Sequence, residues 1–202
     1  MTLNLVIVDD EPAVHAVVRM AVDPARVSLS AHDDPQAFLD QLADVPPSVV
    51  LLDLCMPGHD GLAVQRILAA HSTPFCVVFL SGAGGIPDAV EAMRNGAVDF
   101  LRKPFRREAL HAALARAERA LDILVAERER RRRLDVLDQL TPREMEVLQT
   151  LAQGHQTKMV AHQLNISART VEMHRANIID KLGVPITGAL LMAHEAGRLT
   201  AA

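Results

Sequence analysis

The 202 residues are about half apolar and carry 21 Lys and Arg against 25 Asp and Glu, a net charge of −4. A chain of this length forms one large domain or two small ones, with apolar residues enough for a core in each. Five Phe and no Tyr or Trp make those cores aliphatic, and exclude a single-strand binder that stacks bases on aromatic rings.

The charge is uneven. Residues 1–115 hold 8 Lys and Arg against 14 Asp and Glu, residues 116–140 hold 7 against 6, and residues 141–202 hold 6 against 5. The acidic part suits a metal-binding pocket, so nucleic-acid binding has to come from a motif rather than from bulk charge. Cys55 and Cys76 form neither a zinc spacing nor a disulfide framework, which fits a reducing cytoplasm. No basic-then-apolar leader opens the chain and no apolar run nears the ~18 residues of a membrane span. The expectation is a soluble, cytoplasmic protein without a membrane partner.

Residues 1–110 alternate short apolar runs with helix-period segments, the pattern of βα units around a parallel sheet. Strands are expected near 4–8, 28–31, 49–53, 76–81 and 99–102. Helices are expected near 12–22, 35–43, 61–70, 87–95 and from 106 onward. Pro12 and Pro35 suit first-turn helix positions, where a missing N–H costs little, and Gly96 suits a helix stop.

From 106 to 137 the chain is rich in Ala, Leu, Arg and Glu. Leu114, Ala117, Leu121 and Leu124 follow a coiled-coil spacing that fails at Arg128 and Arg131. A solvated linker helix is therefore favoured over a sustained coiled coil, with Arg130–Arg133 on its charged face. Residues 141–196 read as all-helical. Thr141-Pro142-Arg143-Glu144 is a capping box, and Thr157–Leu164 is a short helix with Asn165 at the turn. Ser167–Leu182 is a longer helix stopped by Gly183, and a last helix covers roughly 187–196.

Four strand ends carry complementary groups. Asp53 ends the most apolar run, Asp9 and Asp10 follow Leu5–Val8, Ser81 ends Cys76–Leu80, and Lys103 follows Asp99–Arg102. Open α/β sheets place ligand chemistry at those ends. A carboxylate attacks phosphate only when charge is neutralised and the groups are positioned. Asp9, Asp10 and Asp53 are candidate ligands of Mg²⁺, a cation that takes few protein oxygens, and the Cys55 backbone carbonyl could add another. Lys103 and the Ser81 hydroxyl would meet the phosphoryl oxygens. The small residues Gly82–Gly85 leave room there. A dehalogenase-type phosphatase wants a second Asp where this chain has Cys55, and no Gly-Lys-Ser/Thr marks a nucleotide loop.

Val8-Asp9-Asp10-Glu11, Asp53-Leu54-Cys55-Met56-Pro57-Gly58, Ser81-Gly82 and Phe100-Leu101-Arg102-Lys103-Pro104-Phe105 resemble the receiver domain of two-component response regulators over residues 3–120. Gly96-Ala97-Val98-Asp99-Phe100-Leu101 is most similar to the FixJ-type branch. The resemblance implies a flavodoxin-like (βα)5 fold and a sensor histidine kinase as phosphoryl donor. It also implies that the receiver catalyses only its own phosphorylation and dephosphorylation, at Asp53. Ser81 and Phe100 would form the switch, although Phe100 lacks the hydroxyl of the frequent Tyr. Position 83 is Ala, where a larger polar residue is common. His59, near Asp53, is expected to be solvated, with tuning of phosphate lifetime as the lesser role.

Leu140–Glu144, Val160–Leu164 and Ser167–Arg175 resemble the LuxR-type helix-turn-helix, here within a four-helix all-α domain. In such motifs the second helix enters the major groove. Val171, His174, Ile178 and Leu182 recur at core spacing. Arg169, Thr170, Glu172, Met173 and Arg175 are candidates to face DNA, His174 to pack or to meet phosphate, and Lys158 and Lys181 to meet phosphates. Thr157 stands where Asn is frequent.

The division expected is a receiver at 1–120, a helical linker at 121–137 and a DNA-binding domain at 138–202. Together they imply a transcriptional regulator that binds double-stranded promoter DNA. It would form a homodimer on phosphorylation through a face around Ala89, Val90, Met93, Phe100 and Leu110, with RNA polymerase as a further candidate partner. The alternative is a constitutive DNA binder whose receiver works without phosphorylation.

Overall fold

The computed structural model describes residues 2–82 and 85–199, and at His59 the backbone only. Ala83 and Gly84, part of the expected small-residue loop, lie outside the described residues. The chain divides into two compact units, Met1–Val125 and Ala126–Ala202.

In the first unit β1 (Leu3–Val8), β2 (Val27–His32), β3 (Ser48–Asp53), β6 (Phe75–Ser81) and β7 (Asp99–Arg102) form one parallel sheet. Its order, β2-β1-β3-β6-β7, is the flavodoxin-like order, in which the connections reverse direction beside β1 and leave a crevice at the strand ends. A two-stranded antiparallel ribbon, β4 (Cys55–Met56) and β5 (His59–Asp60), follows β3. Sequence reasoning read that stretch as loop, because two-residue strands are too short to show a period.

Helices α1 (Pro12–Ala21), α2 (Pro35–Asp40), α3 (Gly61–Ala70) and α4 (Ile86–Arg94) connect the strands, and a 3-10 turn at Leu42–Asp44 replaces the expected end of α2. Central strands β3 and β6 are buried along their whole length, as a parallel sheet covered on both faces requires. Side chains alternate across the sheet. Leu5, Ile7, Val49, Leu51, Val78 and Leu80 join a core with α1, while Val6, Val8, Val50, Leu52, Val77 and Phe79 join one with α3.

Helix α5 runs unbroken from Arg107 to Leu137. Its Leu114, Ala117 and Leu121 are buried in the first core, with Leu124 and Val125 packed against it. The coiled-coil spacing is thus the stripe by which α5 covers the receiver sheet, and Leu121 belongs to that core. Leu134, Val136 and Leu137 belong instead to the core of the second unit.

That second core is built by α6 (Pro142–Ala152), α7 (Thr157–Gln163), α8 (Ala168–Leu182) and α9 (Ile186–Glu195). Asn165, at the turn between α7 and α8, has φ +52, and Gly183 ends α8 at φ +65. Both adopt the left-handed conformation that Asn and Gly tolerate best. Among the described residues no single helix is long and apolar enough to cross a membrane.

Candidate functional site

The sheet brings Asp9, Asp10, Asp53, Ser81 and Lys103 to one end because each lies at or just past the carboxyl end of a parallel strand. Pairing fixes the register: Val8 lies opposite Leu52, and Ser81 opposite Arg102. Lys103 is anchored by its backbone N–H to the Ser81 carbonyl at 2.7 Å, and the Lys103–Pro104 peptide is cis.

Lys103 Nζ lies 2.7 Å from Asp9 Oδ2, 2.9 Å from Glu11 Oε1 and 3.3 Å from Asp53 Oδ2. Asp9, Asp53 and Ser81 are buried, while Asp10 is exposed. One oxygen from each of Asp9, Asp10 and Asp53 falls within 4.8 Å of the others. At an effective dielectric near 20, two charges at that separation repel by roughly 3 kcal/mol. One ammonium among so many carboxylates leaves the cluster negative, and a cation relieves it.

Burial pushes the Asp53 carboxyl above its ordinary value; Lys103 opposes that shift and Asp9 adds to it. Burial works against the Lys103 ammonium too, but hydrogen bonds to Asp9 and Glu11 and the charges of Asp9 and Asp53 outweigh it, and its pKa rises. Asp9 Oδ1 accepts the Glu11 backbone N–H at 3.0 Å. Its buried Oδ2 has Lys103 Nζ at 2.7 Å and no other polar partner among the described residues. This all-oxygen donor set, with one oxygen left incompletely satisfied, fits a hard divalent cation such as Mg²⁺.

Two participants escaped sequence reasoning. Glu11 shares Lys103 with the aspartates, and only its adjacency to Asp9-Asp10 hinted at that. Gly61 opens α3 directly beneath the β3 end. A Cβ there would sit 2.4 Å from the Asp53 carbonyl oxygen and 2.9 Å from Leu54 Cα. No sequence signal separates that tight glycine from one chosen for a turn.

The face expected to mediate pairing is partly redrawn. Val90 is 44% and Met93 48% exposed, Ala89 and Phe100 are half-buried, but Leu110 is fully buried. Leu110 points into the core under α5, so it is no part of a surface. Ile86, four residues before Val90 and 83% exposed, was not anticipated and completes an apolar stripe on α4. Phe100 packs against Phe79 with ring centroids 6.3 Å apart.

In the second unit Val171, Ile178 and Leu182 are buried, and His174 is half-buried with an unpartnered Nδ1. Lys158, Arg169, Glu172 and Met173 are exposed, and Thr170 and Arg175 half-buried. Ser167 Oγ caps α8 by accepting the Thr170 N–H at 3.0 Å. Lys181 differs from expectation: its Nζ donates to Glu144 Oε2 at 2.6 Å, so its charge is already paired. Glu144 is buried and also accepts the Thr141 N–H at 2.8 Å. Burial raises its carboxyl, but Lys181 and Thr141 outweigh that and hold it below the usual range. The capping box is thus also the lock between α6 and α8.

Residues 5–115 match the family model of the response regulator receiver domain, and residues 138–192 that of the bacterial regulatory proteins of the luxR family. The fold and site therefore define a two-component response regulator, and the chain belongs to that family, in the branch joining a receiver to a LuxR-type DNA-binding domain. It is 35% identical over 201 residues to the transcriptional regulatory protein FixJ of Bradyrhizobium diazoefficiens, covering 97% of each chain. It is 38% identical over 189 residues to the tetrathionate response regulatory protein TtrR of Salmonella typhimurium, covering 94% of this chain and 90% of the other. The solved structure of the response regulator StyR matches with a TM-score of 0.70 at 30% identity, over 96% of this chain and all of that one.

Proposed function

We propose that Asp53 is the phosphoacceptor through which a sensor histidine kinase controls promoter binding by this regulator. The observation that carries the reading is the cluster of Asp9, Asp10 and Asp53 around Lys103 at the strand ends. A carboxylate oxygen of Asp53 attacks the phosphorus of the kinase phosphohistidine. A P–O bond forms, the P–N bond breaks, and its electron pair stays on the imidazole, which takes up a proton.

Mg²⁺ held by Asp9, Asp10, Asp53 and the Cys55 backbone carbonyl would neutralise phosphoryl charge. Lys103 releases an aspartate and pairs with a phosphoryl oxygen, and the Ser81 hydroxyl meets another. Ser81 moving toward the phosphoryl group draws its strand end inward and lets Phe100 repack against Phe79. The stripe Ile86, Val90 and Met93 on α4 is then the homodimer surface. Beyond this self-directed phosphoryl chemistry the chain carries out no catalysis.

Receiver residues 1–120 act through the helical connector 121–137 on the DNA-binding domain 138–202. There Arg169, Thr170, Glu172, Met173, His174 and Arg175 of α8, with Lys158, meet duplex DNA. Lys181 serves mainly to hold Glu144. Dimerisation makes the second half-site intramolecular and raises affinity; RNA polymerase is a further partner, and the site of action is the cytoplasm. The test is radiolabelled phosphoryl transfer from acetyl phosphate with Mg²⁺. Wild type is expected to incorporate label and Asp53→Asn none; label retained in the variant would refute Asp53 as acceptor.

A further inference from the structure

Three polar side chains at the junction of α7 and α8 form a closed group. Thr157 Oγ1 donates to Glu172 Oε1 at 2.7 Å, Arg175 Nη1 donates to the same oxygen at 3.1 Å, and Arg175 Nη1 reaches Thr157 Oγ1 at 3.2 Å. Thr157 opens α7, while Glu172 and Arg175 lie three residues apart on α8, so the group bridges the two helices of the helix-turn-helix.

Stability does not account for it. The Glu172 side chain is 56% exposed and that of Arg175 33%, and ion pairs so open to water contribute little to folding. What the group does fix is the direction of one guanidinium and the charge balance of one exposed carboxylate. A free arginine gives up many rotamers on binding, and one held beforehand gives up fewer. A free carboxylate on a face presented to DNA would repel its phosphates. Both costs fall when Glu172 and Arg175 are paired. Arg175 is half-buried and Glu172 exposed, and both reach Thr157 at the start of α7.

We propose that Glu172 and Thr157 are positioning residues that aim Arg175 at a DNA phosphate, and that Glu172 does not itself read a base. The inference rests on DNA binding by α8 and narrows it: of the charged residues of α8 expected to face DNA, one orients another. Two hydrogens of Nη1 are spent on Thr157 and Glu172, which leaves the Nε–Nη2 edge of the guanidinium for a phosphate oxygen.

The test uses the full chain treated with acetyl phosphate and Mg²⁺, and a duplex selected from a random-sequence pool by the wild type. Affinity and its salt dependence are measured for Glu172→Ala, Arg175→Ala, the double variant, Thr157→Val and Glu172→Gln. Arg175→Ala should weaken binding about tenfold, the scale of one charge-assisted hydrogen bond, and lower the salt slope by about one. Glu172→Ala should cost nearly as much on every duplex, and the double variant no more than Arg175→Ala alone. Thr157→Val should fall between, and Glu172→Gln, which can still accept from both partners, should recover most of the loss.

Three results would overturn the inference: additive losses, a changed preference at one base pair in Glu172→Ala, or tighter binding by that variant. The last follows if the carboxylate is merely solvated and repulsive. Should any alanine variant lose its fold by circular dichroism, the same cycle is run with Arg175→Met and Glu172→Met, which keep side-chain bulk but cannot make the hydrogen bonds of the group. Wild-type binding without coupling defeats this inference alone. Absence of sequence-specific binding by the wild type defeats the DNA-binding reading and this inference with it.

Discussion

Two lysines in this chain sit equally close to a buried carboxylate and stand in opposite electrostatic situations. Lys181 Nζ is 2.6 Å from Glu144 and Lys103 Nζ is 2.7 Å from Asp9. Lys181 serves one carboxylate, which also receives a backbone N–H, and the account there is closed. Lys103 is shared by Asp9, Glu11 and Asp53, with Asp10 alongside. The first arrangement locks two helices; the second is short of positive charge until a cation arrives. A buried carboxylate set that its own fold does not neutralise favours a cation, while one that it neutralises marks a joint.

That contrast can be broken at several points. The largest effect is expected from Gly61→Ala, because the added Cβ meets backbone atoms of Asp53 and Leu54 that have no room to move. Urea unfolding should show a loss of about 3 kcal/mol, the scale of severe overpacking, together with loss of phosphoryl incorporation.

Next in size is Lys181→Ala, which strands a buried carboxylate. Because Lys181 is a third exposed, the cost is discounted to about 1–2 kcal/mol. The sign with pH follows from the direction of the shift. Glu144 is held low in the fold, so its contribution is complete above the unfolded value of about 4.3. That contribution is lost as the pH falls through the lowered folded value. Lys181→Ala should therefore flatten the acid limb of the stability curve, and an unchanged limb would refute the lock.

The smallest effect runs the other way. The fold raises the Asp53 carboxyl, so it disfavours the ionised form, and stability falls as the pH rises from the unfolded value through the raised one. Without metal at neutral pH, Asp53→Asn should be more stable than wild type. Added Mg²⁺ should stabilise the wild type more than the variant, as binding to the folded state alone requires. Thermal melts with and without Mg²⁺ check both signs; destabilisation by Asp53→Asn would mean that Lys103 gains more from Asp53 than burial takes away.

The sheet was legible in the sequence because strands buried on both faces must be continuous apolar runs, and Val49–Leu52 and Cys76–Leu80 are such runs. That Asp9, Asp10, Asp53, Ser81 and Lys103 meet at one end was legible for a related reason, since a parallel sheet delivers every strand end to one edge. What escaped depends on the third dimension. The spacing of Leu114, Ala117 and Leu121 is the same whether a helix pairs with a copy of itself or lies on its own sheet. Leu110 looks like a surface residue until α5 is seen turning it inward. Gly61 and the pairing of Lys181 with Glu144 arise from contacts between elements that no local pattern encodes.

On the proposed reading, phosphorylation of Asp53 governs what α8 does. The direct measurement is promoter-fragment binding by wild type and Asp53→Asn, each with and without acetyl phosphate and Mg²⁺. Tightening of the wild type on treatment, with Asp53→Asn left at the untreated level in both conditions, is the predicted result. Equal binding in all four conditions would contradict it and favour a constitutive DNA binder.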